Sequence, residues 1–250
     1  MGFEVAGADY DRFMGRHSRR LAPQLADFAG IRAGQRVLDV GSGPGALTAE
    51  LVARLGASAV VAVDPSTAFV AALRERLPDV EAAQASAEAL PFGDDAFDAA
   101  LAQLVVHFMA DPVAGLREMA RVTRTGGVVA ATVWDHAGER SPIAVFWRAA
   151  RELDPDVRDE SALAGAHAGA LVELLGEAGL TDVVQADHAV PFTHATFEEW
   201  WEPFTLGVGP AGAYAAKLEE DARAALRERC RELLPAAKPA VAWAARGVVA

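Results

Sequence analysis

The sequence predicts an α/β fold built on a mostly parallel, seven-stranded sheet with helices on both faces. Three observations lead there. Short apolar segments alternate with amphipathic ones along most of the chain. The first apolar segment, Val37–Val40, runs directly into the glycine-rich turn Gly41-Ser42-Gly43-Pro44-Gly45. The second ends in a lone carboxylate, Asp64, at about the twenty-residue separation that nucleoside-binding βαβ units use. Parallel strands joined by crossover helices are buried on both faces, so their sequences read as continuous apolar runs, as Val37–Val40 and Val60–Val63 do.

The elements follow in order. Phe13, Leu21, Leu25 and Phe28 share a helix face over 10–29, with an interruption expected at Pro23. After the first strand, Leu47, Leu51 and Leu55 predict a helix that stops at Gly56. A second strand over 59–63 leads into a helix from Ser66 that Pro78 ends. A third strand is expected over 80–85 and a fourth over 97–106. Asp111-Pro112 supplies an N-cap and a first-turn proline for a helix reaching Val122, and Thr125-Gly126-Gly127 turns the chain into a fifth strand over 128–134. Ser141-Pro142 opens another helix; Leu171, Leu174, Leu175 and Ala178 mark the next, ending at Gly179; a sixth strand covers 183–190. Thr196 to Glu199 spells a capping box ahead of Trp200, Trp201 and Phe204, a charged helix spans 211–234, and a last strand covers 240–249. The domain reading is a single unit: a helical leader (1–30), a core (31–190 and 240–250) and a helical cap (191–239) over the sheet edge.

Composition narrows the function classes. A chain of 250 residues at 52% hydrophobic buries a substantial core as one domain. A net charge of −12 disfavours a nucleic-acid partner, whose phosphates need clustered Lys and Arg. The lone Cys230 forms neither an intrachain disulfide nor a thiolate metal cluster, which fits a reducing, cytoplasmic setting. The start Met1-Gly2-Phe3-Glu4 lacks the basic and apolar regions of a signal peptide, and no apolar run is long enough to cross a membrane. His17, His136, His167, His188 and His194 show no ligand spacing, so no metal is expected.

Two cofactor classes compete for the turn. Gly41, Gly43 and Ala46 satisfy G-x-G-x-x-G/A, with Asp64 placed for a ribose diol, which leaves NAD(P) open. Asp39 shifts the balance: a carboxylate facing the head of the cofactor repels a pyrophosphate and attracts an ammonium. S-adenosylmethionine joins an adenosine ribose to an ammonium-bearing, sulfonium-charged amino acid, and so matches both acids. The other readings are an NAD(P)-dependent Rossmann oxidoreductase and a non-catalytic cofactor-binding protein.

From these residues the chain resembles the class I S-adenosylmethionine-dependent methyltransferases, in the small-molecule subgroup (methyltransferase type 11) that includes ubiquinone/menaquinone C-methyltransferases. Four segments in order carry the resemblance: Val37 to Gly45, Val63-Asp64-Pro65-Ser66, Ala85 to Phe92 followed by Phe97-Asp98, and Glu118 to Val122 through Gly126-Gly127. It implies a Rossmann-like class I methyltransferase fold with a helical cap before the last strand, S-adenosylmethionine as donor, S-adenosylhomocysteine as product, and a small-molecule acceptor. The implied donor contacts are Asp39, Gly41, Ser42, Gly43 and Gly45 in the first segment, Asp64, Pro65 and Ser66 in the second, and Ser86, Ala87 and Glu88 in the third. The third contacts adenine in the family. Many relatives have aspartate at Ser86, so the adenine amino group falls to Ser86 or Glu88. The leader Tyr10 to Arg16 resembles the subgroup's, which offers Tyr10 and Arg16 at the methionine end; Gln103 is placed at a strand's carboxyl end, where ligands bind. Arg124-Thr125 replaces the usual Lys-Pro before the two glycines. His107, just past the fourth strand, is the candidate base or acceptor contact.

Overall fold

The computed structural model describes residues 7–235 and 238–250; the expectation made for Met1 to Glu4 lies outside them. The sheet has seven strands: β1 (Val37–Val40), β2 (Val60–Asp64), β3 (Glu81–Gln84), β4 (Phe97–Gln103), β5 (Thr123–Trp134), β6 (Thr181–Val190) and β7 (Ala240–Val248). Their order is β3-β2-β1-β4-β5-β7-β6. The first five run parallel, and β7 is antiparallel to both its neighbours. The connections reverse direction between β1 and β4, which makes their carboxyl ends the switch point where open α/β sheets take ligands.

The alternation of side chains along the central strands divides the core. Val37, Ala99 and Leu101 face one side, where α2 (Arg16–Phe28) and α3 (Ala46–Leu55) bring Leu25, Leu47 and Leu51. Leu38, Val40, Ala100 and Ala102 face the other, against Leu116, Met119 and Leu171 of α5 (Pro112–Val122) and α7 (Ala170–Glu177). Between β2 and β3 lies α4 (Thr67–Arg76), which begins where the Ser66 hydroxyl accepts the Phe69 N–H.

Several boundaries differ from the sequence reading, each for a physical reason. The leader is α1 (Gly7–Tyr10), a π-helical turn over Asp11–Gly15 and α2. Helix α2 continues through Pro23, because Leu21 and Leu25 are fully buried on either side of it and their packing outweighs one missing hydrogen bond. β4 ends at Gln103: Leu104 adopts a left-handed φ of 62° and the chain enters a 3-10 turn over Val106–Phe108. β5 begins at Thr123, with Gly126 at φ 74° inside the shifted register that brings Phe97 opposite Thr123 and Ala99 opposite Val128. Ser141-Pro142 precedes rather than opens α6 (Ala144–Leu153).

Between β6 and β7 come α8 (Phe197–Trp201), a 3-10 turn over Glu202–Leu206, α9 (Gly209–Lys217) and α10 (Glu220–Leu233), so the single charged helix expected over 211–234 is two. Trp200, Trp201, Phe204 and Val208 pack with Phe13, Leu104, Trp134 and Phe146, over the carboxyl ends of β4 and β5. Aromatic area decides this: outer β6 exposes most of its side chains, whereas the carboxyl ends offer Phe146, stacked on Phe204 at 4.6 Å. Among the described residues no helix is long and apolar enough to cross a membrane.

Candidate functional site

A cavity of about 310 Å³ opens at the switch point. Its floor is the turn after β1. Gly41 has φ 69°, and a Cβ there would stand 2.4 Å from a Val105 methyl, so only glycine lets the turn pass beneath the β4 loop. The turn is held from β2: Val63 O accepts the N–H groups of Gly41 and Ser42, at 2.8 and 2.9 Å.

Asp64 closes one side of the cavity. Its Oδ2 accepts the Gly43 N–H and its Oδ1 the Ser66 N–H, both at 2.8 Å. Burial raises its pKa, and these two N–H groups pull it back down. Each oxygen keeps a further lone pair, the acceptor set that a vicinal diol requires. The Gly43 N–H, which a dinucleotide site would turn toward pyrophosphate, is already donated to this carboxylate. Among the described residues, no Lys, Arg or His lines the cavity.

Ser86, Ala87 and Glu88 line the cavity from the loop after β3, which starts beside Asp64 where Ala85 N–H donates to Asp64 O at 3.2 Å. The Glu88 Oε1 is engaged, accepting Ala110 N–H at 2.8 Å and Asp111 N–H at 3.3 Å, so it fastens the β3 loop to the start of α5. That loop is also clamped from behind. Glu118 accepts the Leu90 N–H at 3.1 Å, and Arg121 donates to the carbonyls of Leu90 and Phe92 at 3.2 and 2.9 Å.

Gln103 reaches the cavity from the end of β4. Its Nε2 donates to Ser18 O at 3.1 Å, while its buried Oε1 has no hydrogen-bond partner among the described residues. Tyr10 lines the mouth, set edge-on to Phe69 with ring centroids 5.3 Å apart, and burial pushes its phenol up to about 12.

Of the residues singled out from sequence, Tyr10, Gly41, Gly43, Asp64, Pro65, Ser66, Ser86, Ala87, Glu88 and Gln103 line this cavity. Five others stand elsewhere. Asp39 is buried behind the turn, its Oδ2 accepting the Thr48 hydroxyl at 2.6 Å, and burial raises its pKa to about 7. Ser42 turns its hydroxyl to Gly43 O at 3.4 Å. Gly45, at φ 93°, is the N-cap of α3. Arg16 lies toward α8, pairing with Glu199 at 2.8 Å, because that carboxylate is the nearest opposite charge across the capping turn. His107 faces a smaller neighbouring cavity. Sequence reasoning missed Phe69, Leu104, Val105, Phe108, Met109 and Ala110, which also line the main cavity. The one signal for the last five was their position at a strand's carboxyl end, hidden by the expectation that β4 ran to Val106.

The chain is similar to methyltransferases in sequence and in fold. Residues 38–131 match the family described as "Methyltransferase domain". The chain is 39% identical over 140 residues to an uncharacterised methyltransferase of Mycobacterium bovis, covering 56% of this chain and 54% of that protein. It is 44% identical over 101 residues to a demethylmenaquinone methyltransferase of Beutenbergia cavernae, covering 40% and 41%. The chain thus spans about half the length of the curated relatives it matches. Among solved structures, phosphoethanolamine N-methyltransferase 2 of Haemonchus contortus, in complex with S-adenosylhomocysteine, superposes with a TM-score of 0.59 at 16% identity, over 100% of this chain and 61% of that one. At that identity the match speaks for the fold.

Proposed function

We propose, from the match of residues 38–131 to the methyltransferase domain family, that the chain is an S-adenosylmethionine-dependent methyltransferase acting on a small-molecule acceptor. The observation that carries this reading is the Asp64 carboxylate, pinned at the wall of a cavity lined by acids and without a basic side chain among the described residues. A sulfonium donor with an adenosyl sugar suits that field, whereas the pyrophosphate of NAD(P) would be repelled.

In this reading Asp64 takes the ribose hydroxyls, and Ser86 and Ala87 flank the adenine. Because the Glu88 Oε1 is engaged by two backbone N–H groups, Ser86 is assigned to the adenine amino group. The unpartnered Gln103 Oε1 accepts from the donor's ammonium, a task first expected of Asp39. Asp39 instead steadies the turn through Thr48. Methyl transfer is an in-line displacement from an activated sulfonium, so the chain's main work is alignment in a water-poor pocket. Phe13, Trp134, Trp200 and Phe204 exclude water on the acceptor side, where His107 is held uncharged by burial.

Thermal melts with S-adenosylmethionine, S-adenosylhomocysteine and NAD test the reading. Stabilisation by the first two and not the third is expected. Stabilisation by NAD alone would overturn it in favour of an oxidoreductase.

A further inference from the structure

His107 in the turn after β4, His136 just past β5, and Glu160 between α6 and α7 are distant in sequence and adjacent in space. One ligand-capable atom from each lies within 4.8 Å of the other two. All three are buried, with exposures of 7%, 6% and 4%. Among the described residues, His107 Nδ1 and both ring nitrogens of His136 have no hydrogen-bond partner. The Glu160 Oε2 accepts the Trp147 indole N–H at 2.8 Å, which fixes the carboxylate's orientation.

Leaving so many polar atoms unpaired in an apolar shell is unfavourable, and Phe13, Met14, Leu104, Trp134 and Ile143 make this shell apolar. The space between them is about 30 Å³, room for one ion or one water. The unpartnered His107 Nδ1 and His136 ring nitrogens are atoms that, in a neutral imidazole, offer a lone pair to a cation. Two imidazoles and a carboxylate are a donor set that zinc-class ions take while keeping a fourth position open. Ligand atoms of a tetrahedral site stand ~3.3 Å apart, so side-chain rotations of about an ångström complete the set.

We propose that His107, His136 and Glu160 bind one divalent transition-metal ion of the zinc class. The ion stands beside the donor cavity, since Tyr10, Leu104 and Phe108 line both spaces. One consequence rests on the methyl-transfer reading: the acceptor's reacting atom is an oxygen or sulfur able to occupy the open position. Ligated there, a hydroxyl or thiol releases its proton to solvent more readily. Its bond to the methyl carbon forms as the methyl–sulfonium bond breaks, the electron pair staying on the thioether sulfur of S-adenosylhomocysteine. His107 is then a ligand rather than a free base.

The test is titration of the metal-stripped, untagged full chain with Co²⁺, followed by its visible ligand-field bands, and with Zn²⁺ in competition. One equivalent is expected to bind. Glu160→Gln, which keeps an acceptor for Trp147, should weaken uptake at least about tenfold, and His136→Gln should do the same. Exchange of the exposed His167 for Gln should leave uptake unchanged. Circular-dichroism melts establish that each variant is folded. No stoichiometric uptake by the folded wild-type chain, or equal uptake by the His136 and Glu160 variants, would overturn the proposal. Because the readout is metal binding without donor, uptake together with failure to bind S-adenosylhomocysteine would sustain the site and overturn only its consequence for the acceptor.

Discussion

The Asp64 carboxylate accepts the Gly43 N–H at 2.8 Å, joining the end of the second strand to the turn that follows the first. One side chain thereby sets the turn's shape and presents oxygens to the cavity. Asp64→Asn keeps the volume but turns an NH2 group toward one of two backbone N–H groups. The expected result is binding of S-adenosylhomocysteine weakened by at least about 30-fold, roughly 2 kcal/mol, by calorimetry.

Asp39 gives a pH prediction. Burial raises its pKa from 3.8 to about 7. Between those values the folded chain holds a proton that the unfolded chain has released, so this group's contribution to stability falls as pH rises from about 4 to 7 and is flat above. Asp39→Asn cannot ionise and still offers an oxygen to the Thr48 hydroxyl. The variant should therefore gain on the wild type across that window, by up to about 4 kcal/mol at pH 8. Denaturant melts at pH 4, 6 and 8 measure the difference. Affinity for S-adenosylhomocysteine should change by less than about fivefold, since Asp39 does not line the cavity.

Glu118 and Arg121 act through the β3 loop. Glu118→Ala leaves the Leu90 N–H without its acceptor and removes a partner from Arg121. A loss of about 1–2 kcal/mol in stability is expected by urea denaturation. Donor affinity should fall roughly three- to tenfold, because the loop carrying Ser86 to Glu88 is no longer clamped.

Gly41→Ala places a methyl group into Val105 at a backbone φ of 69°. Overpacking and strain together should destabilise the chain by about 2–4 kcal/mol, with donor binding lost in the folded fraction. Melting temperature and calorimetry on the same sample report both effects.

The sheet and most of the switch-point cavity were legible because they rest on local rules. Continuous apolar strands, Gly41 and Gly43 in a strand-to-helix turn, and Asp64 at a strand's end all declare themselves within a few residues. Asp39 was expected at the cofactor's head and stands off the cavity lining, bonded to Thr48, because spacing places a residue on a strand without saying which side of a turn its carboxylate reaches. Pro23 was read as a break because its local cost is visible in sequence and the packing that outweighs it is not. His136 and Glu160 gave no signal: they come from separate loops brought together by the packing of α6 and the cap helices, and the ligand-spacing patterns that reveal helical or hairpin metal sites have no counterpart for such a set.

The central claim is that the switch-point cavity holds an adenosyl sulfonium donor through Asp64. Calorimetric titration of the wild-type chain and of Asp64→Ala with S-adenosylhomocysteine tests it most directly. The account predicts one binding site in the wild type and none measurable in the folded variant. Absence of binding to the wild type, or equal binding to both chains, would contradict it.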